Sequence, residues 1–190
     1  MSRAYRITVK EALNREVIGS DEICTKLDVL EILPPEQMAE LLKKELLDRG
    51  FLENEDGTVT RNDGTVSVTV EPCTGEVTVK SESKDNVVLE ANREVTGYDD
   101  VGPGEGALRD RVKEQLKQEL ERKAEKESER LQSEATKKLE QALDDLQPEL
   151  GKVVNKITRE ALKQKAAQMG TITEIAEDGE TGNLTIKVEV

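Results

Sequence analysis

The chain has no histidine and no tryptophan among its 190 residues, and its aromatic side chains are limited to Tyr5, Phe51 and Tyr98. Without histidine there is no imidazole base, no Ser–His–Asp relay and no histidine ligand for zinc. The two cysteines, Cys24 and Cys73, are too few to complete a zinc site alone, and they point to a reducing compartment. Long hydrophobic runs are also missing. No stretch approaches the 18 apolar residues of a membrane span, and the start, Met1 to Leu13, lacks an apolar signal core. The expected location is therefore the cytoplasm. Apolar residues make up 35% of the chain and charged residues 36%, which predicts a modest core built from aliphatic side chains.

Charge is unevenly placed. Residues 1–104 carry 12 Lys/Arg against 22 Asp/Glu, a net of −10. Residues 105–169 carry 15 against 14 (+1), and residues 170–190 carry 1 against 5 (−4). The acidic flanks repel nucleic-acid phosphates and anionic lipid, so neither is an expected partner.

From Ala107 to Gln147 the chain runs without glycine, proline or aromatic residue, and about half of its side chains are charged. Leu108, Val112, Leu116, Leu120, Ala124, Leu131, Ala135, Leu139, Leu143 and Leu146 form one apolar stripe, so this is a long amphipathic helix. The stripe advances about 3.8 residues per step, wider than a heptad and nearer the eleven-residue repeat of straight packing. Pro148 interrupts the pattern. The spacing predicts a turn there in preference to a kink, with a second helix over about 149–168 that returns along the first.

Before the long helix, Tyr5–Val9 alternates like a strand, and Ile23–Leu33 is a second apolar run. Pro35, Glu36, the face Met38, Leu41, Leu42 and Leu46, and a closing Gly50 predict a helix over about 35–49, with Phe51 folding back on its last turn. Strands follow at Thr58–Thr60, Thr65–Val70, Glu76–Lys80 and Val87–Val95, an antiparallel meander with one wet face. The last residues predict a hairpin, Ile172–Ala176 and Leu184–Val190, turning at Asp178–Gly182. Its sequence echoes an earlier one: Gly64-Thr65-Val66-Ser67 leading to Thr74-Gly75-Glu76-Val77-Thr78-Val79-Lys80, against Gly170-Thr171-Ile172-Thr173 leading to Thr181-Gly182-Asn183-Leu184-Thr185-Ile186-Lys187, a likeness that convergent hairpin chemistry explains more simply than duplication.

The expected fold class is α+β. A small antiparallel sheet with one packed helix (1–98) precedes a Gly-rich linker (99–106), a long helical hairpin or arm (107–169, break near 148) and a C-terminal β-hairpin (170–190). No catalytic residue, metal ligand or cofactor-binding residue stands out. The glycines at 102, 104 and 106 lack the lysine of a phosphate loop, and the acidic turn Glu53–Gly57 lacks calcium-loop spacing. The residues expected to make protein contacts are Leu108, Val112, Leu116, Leu120, Leu131 and Leu139 on the helix and Leu184, Ile186 and Val188 on the hairpin.

Three segments carry a family resemblance: Met1-Ser2-Arg3-Ala4-Tyr5-Arg6-Ile7, the stretch Leu33-Pro34-Pro35-Glu36-Gln37-Met38-Ala39-Glu40-Leu41-Leu42, and Lys165 through Val190 with its Thr181-Gly182 turn. In their order the chain resembles the accessory domain proteins of bacterial ternary conflict systems, which combine FtsH-like or MoxR-like AAA+ ATPases with von Willebrand A domains. The resemblance implies a non-enzymatic adaptor or scaffold beside an AAA+ ATPase or a von Willebrand A protein, and assigns no site residue. The alternatives are a structural subunit of a homomeric particle or filament, and a carboxylate-based metal-dependent enzyme or regulator.

Overall fold

A computed structural model describes residues 3–98, 102, 104–177 and 184–189. In chain order the elements are β1 (Ala4–Lys26), α1 (Pro35–Asp48), β2 (Leu52–Glu53), β3 (Val59–Asp63), β4 (Val66–Glu71), β5 (Glu76–Tyr98), α2 (Glu105–Met169), β6 (Thr171–Glu177) and β7 (Leu184–Glu189). A five-stranded sheet has the order β1-β5-β4-β3-β2, and β6 and β7 form a second, two-stranded sheet. The α+β class, the meander, the single packed helix and the C-terminal hairpin are as the sequence predicts. The turn expected at Asp178–Gly182 lies outside the described residues, as do Val190 and linker positions 99–101 and 103.

The strands are longer than the sequence suggests. Tyr5–Val9 and the start of the Ile23 run belong to one 23-residue strand, and Glu76–Lys80 and Val87–Val95 to another. The run expected to continue from Ile23 to Leu33 leaves the strand after Lys26. Strands usually span 3–10 residues. Here a period-2 burial pattern persists through the polar middle of β1, where Leu13, Val17 and Gly19 stay on the inner face while Asn14, Glu16 and Ile18 point out.

The chain forms two compact units. The first comprises Met1–Asp21 and Glu82–Lys137. Its core joins Ile7 and Val9 of β1 to Val112 and Leu116 of α2, flanked by Tyr5, Ala91, Val95 and Leu108. Two strands present a narrow apolar face, and one helix stripe is wide enough to cover it. At Gly19 the strand touches the helix backbone: a Cβ there would lie 2.3 Å from the Leu131 carbonyl carbon. The Gln132 amide then bonds the strand as a neighbouring strand would, donating to the Ser20 carbonyl (2.7 Å) and accepting from the Ser20 N–H (3.1 Å). The Thr136 hydroxyl donates to Asp21 at 2.7 Å.

The second unit comprises Glu22–Ser81 and Lys138–Val190. Helix α1 starts on Pro35, whose missing N–H costs nothing in a first turn. It ends in a Schellman motif: Gly50 adopts φ 87°, and the N–H groups of Gly50 and Phe51 donate to the Leu47 and Leu46 carbonyls. Sheet register aligns Val59 with Val70, Val70 with Val77 and Val68 with Val79, so one face is a layer of valines. Leu42 and Leu46 of α1 and Leu139, Leu146, Leu150, Val153 and Ile157 of α2 cover that layer. Thr60, Thr69 and Thr78 lie on the other, wetter face.

The turn expected at Pro148 does not form. Helix α2 is a single element with Pro148 inside it, and the second helix expected over 149–168 is its continuation. An interior proline forfeits one backbone bond and crowds the carbonyl four residues earlier, at a cost of roughly 3 kcal/mol. Its immediate neighbours offset this. Leu146 and Leu150 are both buried in the core, each worth roughly 1.5–3 kcal/mol. Glu149 is also clamped by the Arg61 guanidinium. The wide step counted in the stripe reflects the same arrangement: Ala124, Ala135, Leu146 and Ile157, eleven residues apart, are all buried.

Candidate functional site

The ionised side chains of the second unit hold its helices in place. Arg61 lies on the inner face of β3, two residues from Val59. Its guanidinium donates to both Glu149 carboxylate oxygens (2.8 and 3.0 Å) and to Asp63 (2.9 Å), and sits 4.8 Å from the Phe51 ring centre. The bidentate Arg61 contact holds the Glu149 carboxyl below the ordinary carboxylate range, and Glu149 in turn raises Arg61. Glu45 of α1 is 6% exposed. Burial pushes its carboxyl up, but hydrogen bonds from Lys156 of α2 and from Arg49 outweigh that and leave it lowered. In the acidic turn, Asp56 accepts from the Thr58 N–H (3.0 Å) and hydroxyl (2.7 Å), so this carboxylate builds the turn and is itself lowered by Thr58. Cys24 and Cys73 are free thiols on the surface, and Cys24 Sγ lies 3.4 Å from Thr78 Oγ1.

The helix residues expected to meet a partner are covered by the chain itself. Val112 and Leu116 pack on Ile7 and Val9, and Leu108 flanks that cluster. Leu120 and Leu131 are buried, and Leu139 belongs to the core of the second unit. The half of the helix near Leu108, which lacks a helical partner in the sequence pattern, is covered by the two long strands. The hairpin residues differ. Leu184, Ile186 and Val188 are only half-buried. Register places Val188 opposite Ile172 and Ile186 opposite Ile175, and a bulge between Ile172 and Glu174 brings Ile175 onto that face. Ile175 stays 45% exposed. Glu177, opposite Leu184, pairs with Arg159 of α2.

A second apolar surface was not singled out by sequence. Beside the last residues of β1 lies a cavity of about 580 Å³, lined by Ile23 and Thr25 of the strand and by Leu143, Leu150, Gly151 and Val154 of α2. Because β1 ends the sheet order, its outer edge there has no neighbouring strand among the described residues. Cys24 touches Thr78 on the outer face, so Ile23 and Thr25 lie on the inner face, level with the valine layer. Yet Ile23 is 41% exposed. The apolar character of Ile23 was visible in the sequence, but strand order, which makes it an edge residue, was not.

Among the described residues, no helix is long and apolar enough to cross a membrane. No curated protein and no solved structure matches the chain. The family described as FtsH ternary system domain X5 matches residues 1–190. The opening segment, the Leu33–Leu42 stretch and the C-terminal hairpin therefore sit in a chain that belongs, over its whole length, to the FtsH ternary system domain X5 family.

Proposed function

We propose that this FtsH ternary system domain acts as a non-enzymatic adaptor in the cytoplasm, binding the AAA+ ATPase or the von Willebrand A protein of its system. The observation that carries the reading is the match of the FtsH ternary system domain X5 family to residues 1–190, which supports the choice of partners.

The test is titration of the purified chain against the system's FtsH-type ATPase, MoxR-type ATPase and von Willebrand A protein in turn, by interferometry. Saturable binding to one of them supports the adaptor role. Binding to none of the three, at concentrations where the chain is folded, refutes it.

A further inference from the structure

We propose that the open edge of β1 at Ile23–Lys26 is a strand-addition site whose occupant is the C-terminal β-hairpin of a second copy of this chain. The proposal goes beyond the adaptor reading and does not depend on which ATPase the chain meets.

Three observations converge on it. The first is the shape of the gap. A surface groove of about 580 Å³ opens between β1 and the flank of α2, with Leu143, Leu150 and Val154 on one wall and the polar Lys26, Asp28 and Asn155 at its margins. It lies where the next strand of the sheet would run, so a strand there would extend the valine layer beneath Leu143, Leu150 and Val154.

The second is the neighbour that β1 already has. On its inner edge β1 pairs with β5, and Cys24 meets Thr78 within the segment Val77-Thr78-Val79-Lys80. The hairpin strand β7 carries Leu184-Thr185-Ile186-Lys187, the same alternation of branched or aliphatic residues with Thr and Lys. Placed on the outer edge, it would put Leu184 and Ile186 on the face of Ile23, and Thr185 and Lys187 on the wet face. Side-chain period and backbone ladder then agree with those on the other side.

The third is the state of the hairpin itself. It is a separate two-stranded sheet, an arrangement that is marginal in water on its own. Its apolar face, built from the pairs Ile172–Val188 and Ile175–Ile186, is only half covered. Within one chain the hairpin is held near the end of α2 by the Arg159–Glu177 pair. A hairpin from a second copy supplies what the groove lacks, and the groove supplies a third strand to the hairpin.

Two single variants test this, each at a position already more than two-fifths exposed: Ile23→Lys in the groove and Ile175→Lys on the hairpin. Light scattering of the full chain should show a mass that rises with concentration from 21.1 kDa to at least double that value. Each variant alone should stay at the monomer mass, with an unchanged circular-dichroism spectrum and melting temperature. An equimolar mixture should regain the doubled mass, because one variant keeps an intact hairpin and the other an intact groove. A wild-type chain that remains monomeric to its solubility limit overturns the proposal. So do variants that assemble as the wild type does, or a mixture that stays monomeric while the wild type assembles.

Discussion

Replacing Pro148 by alanine separates a proline inside a helix from one that starts a new helix. In the continuous helix, alanine restores an N–H to the backbone ladder and removes the clash of the ring with the Asp144 carbonyl. That relieves roughly 3 kcal/mol in an ideal helix. Alanine also frees the unfolded chain, which returns roughly 0.4–1 kcal/mol in the opposite direction. The flanking contacts, Leu146 and Leu150 in the core and Glu149 on Arg61, are unchanged by the substitution. The net expectation is a gain of about 2 kcal/mol, which for a chain of this size raises Tm by about 4–8 °C. Calorimetry and urea unfolding of the two proteins measure it. If Pro148 instead opened a second helix after a turn, its fixed φ would be an asset and alanine would be neutral or destabilising. A Tm that falls, or does not move, refutes the account of α2.

Gly19→Ala drives a methyl group into the helix backbone at Leu131 and Gln132, which cannot yield as a side chain can, so urea unfolding should show a loss of about 1–3 kcal/mol. Arg61→Ala removes the bidentate partner of Glu149 and the cation over Phe51, and should cost about 2 kcal/mol by the same measurement. Acid should weaken the second unit. The folded-state pKa values of Glu149 and Glu45 are lowered from the ordinary 4.5, so their stabilisation is complete above that value and is lost as pH falls through the lowered ones. Tm against pH should therefore drop below about 4.5, and Arg61→Ala should flatten part of that drop. Leu116→Asp places a charge at a position 1% exposed on the strand-facing stripe, and is expected to unfold the first unit rather than only alter oligomeric mass.

The parts of the fold that were legible in the sequence are those written in short-range chemistry. Pro35, Gly50 and Phe51 announce α1 because proline at N1 and glycine at C′ each answer a local backbone demand. The valine alternation at Val66–Val70 announces β4 in the same way. The length of β1 was hidden because Lys10 to Ser20 is mostly polar. Its apolar inward positions are few, Leu13, Val17 and Gly19, and Gly19 contributes by lacking a side chain. Pro148 misled because local propensity, roughly 3 kcal/mol, was outweighed by burial of the leucines on either side. The helix leucines expected to meet a partner are buried within their own chain, which the stripe alone does not reveal. The open edge at Ile23 could not be read at all, since it depends on which strand ends the sheet.

The adaptor account is tested most directly by measuring affinity between the purified chain and its three proposed partners, an FtsH-type ATPase, a MoxR-type ATPase and a von Willebrand A protein, beside calorimetric titration of the chain with calcium, magnesium and manganese. The account predicts saturable binding to one of those proteins, retained in the presence of a chelator. Stoichiometric binding of a divalent metal, with no affinity for any of the three proteins, would contradict it.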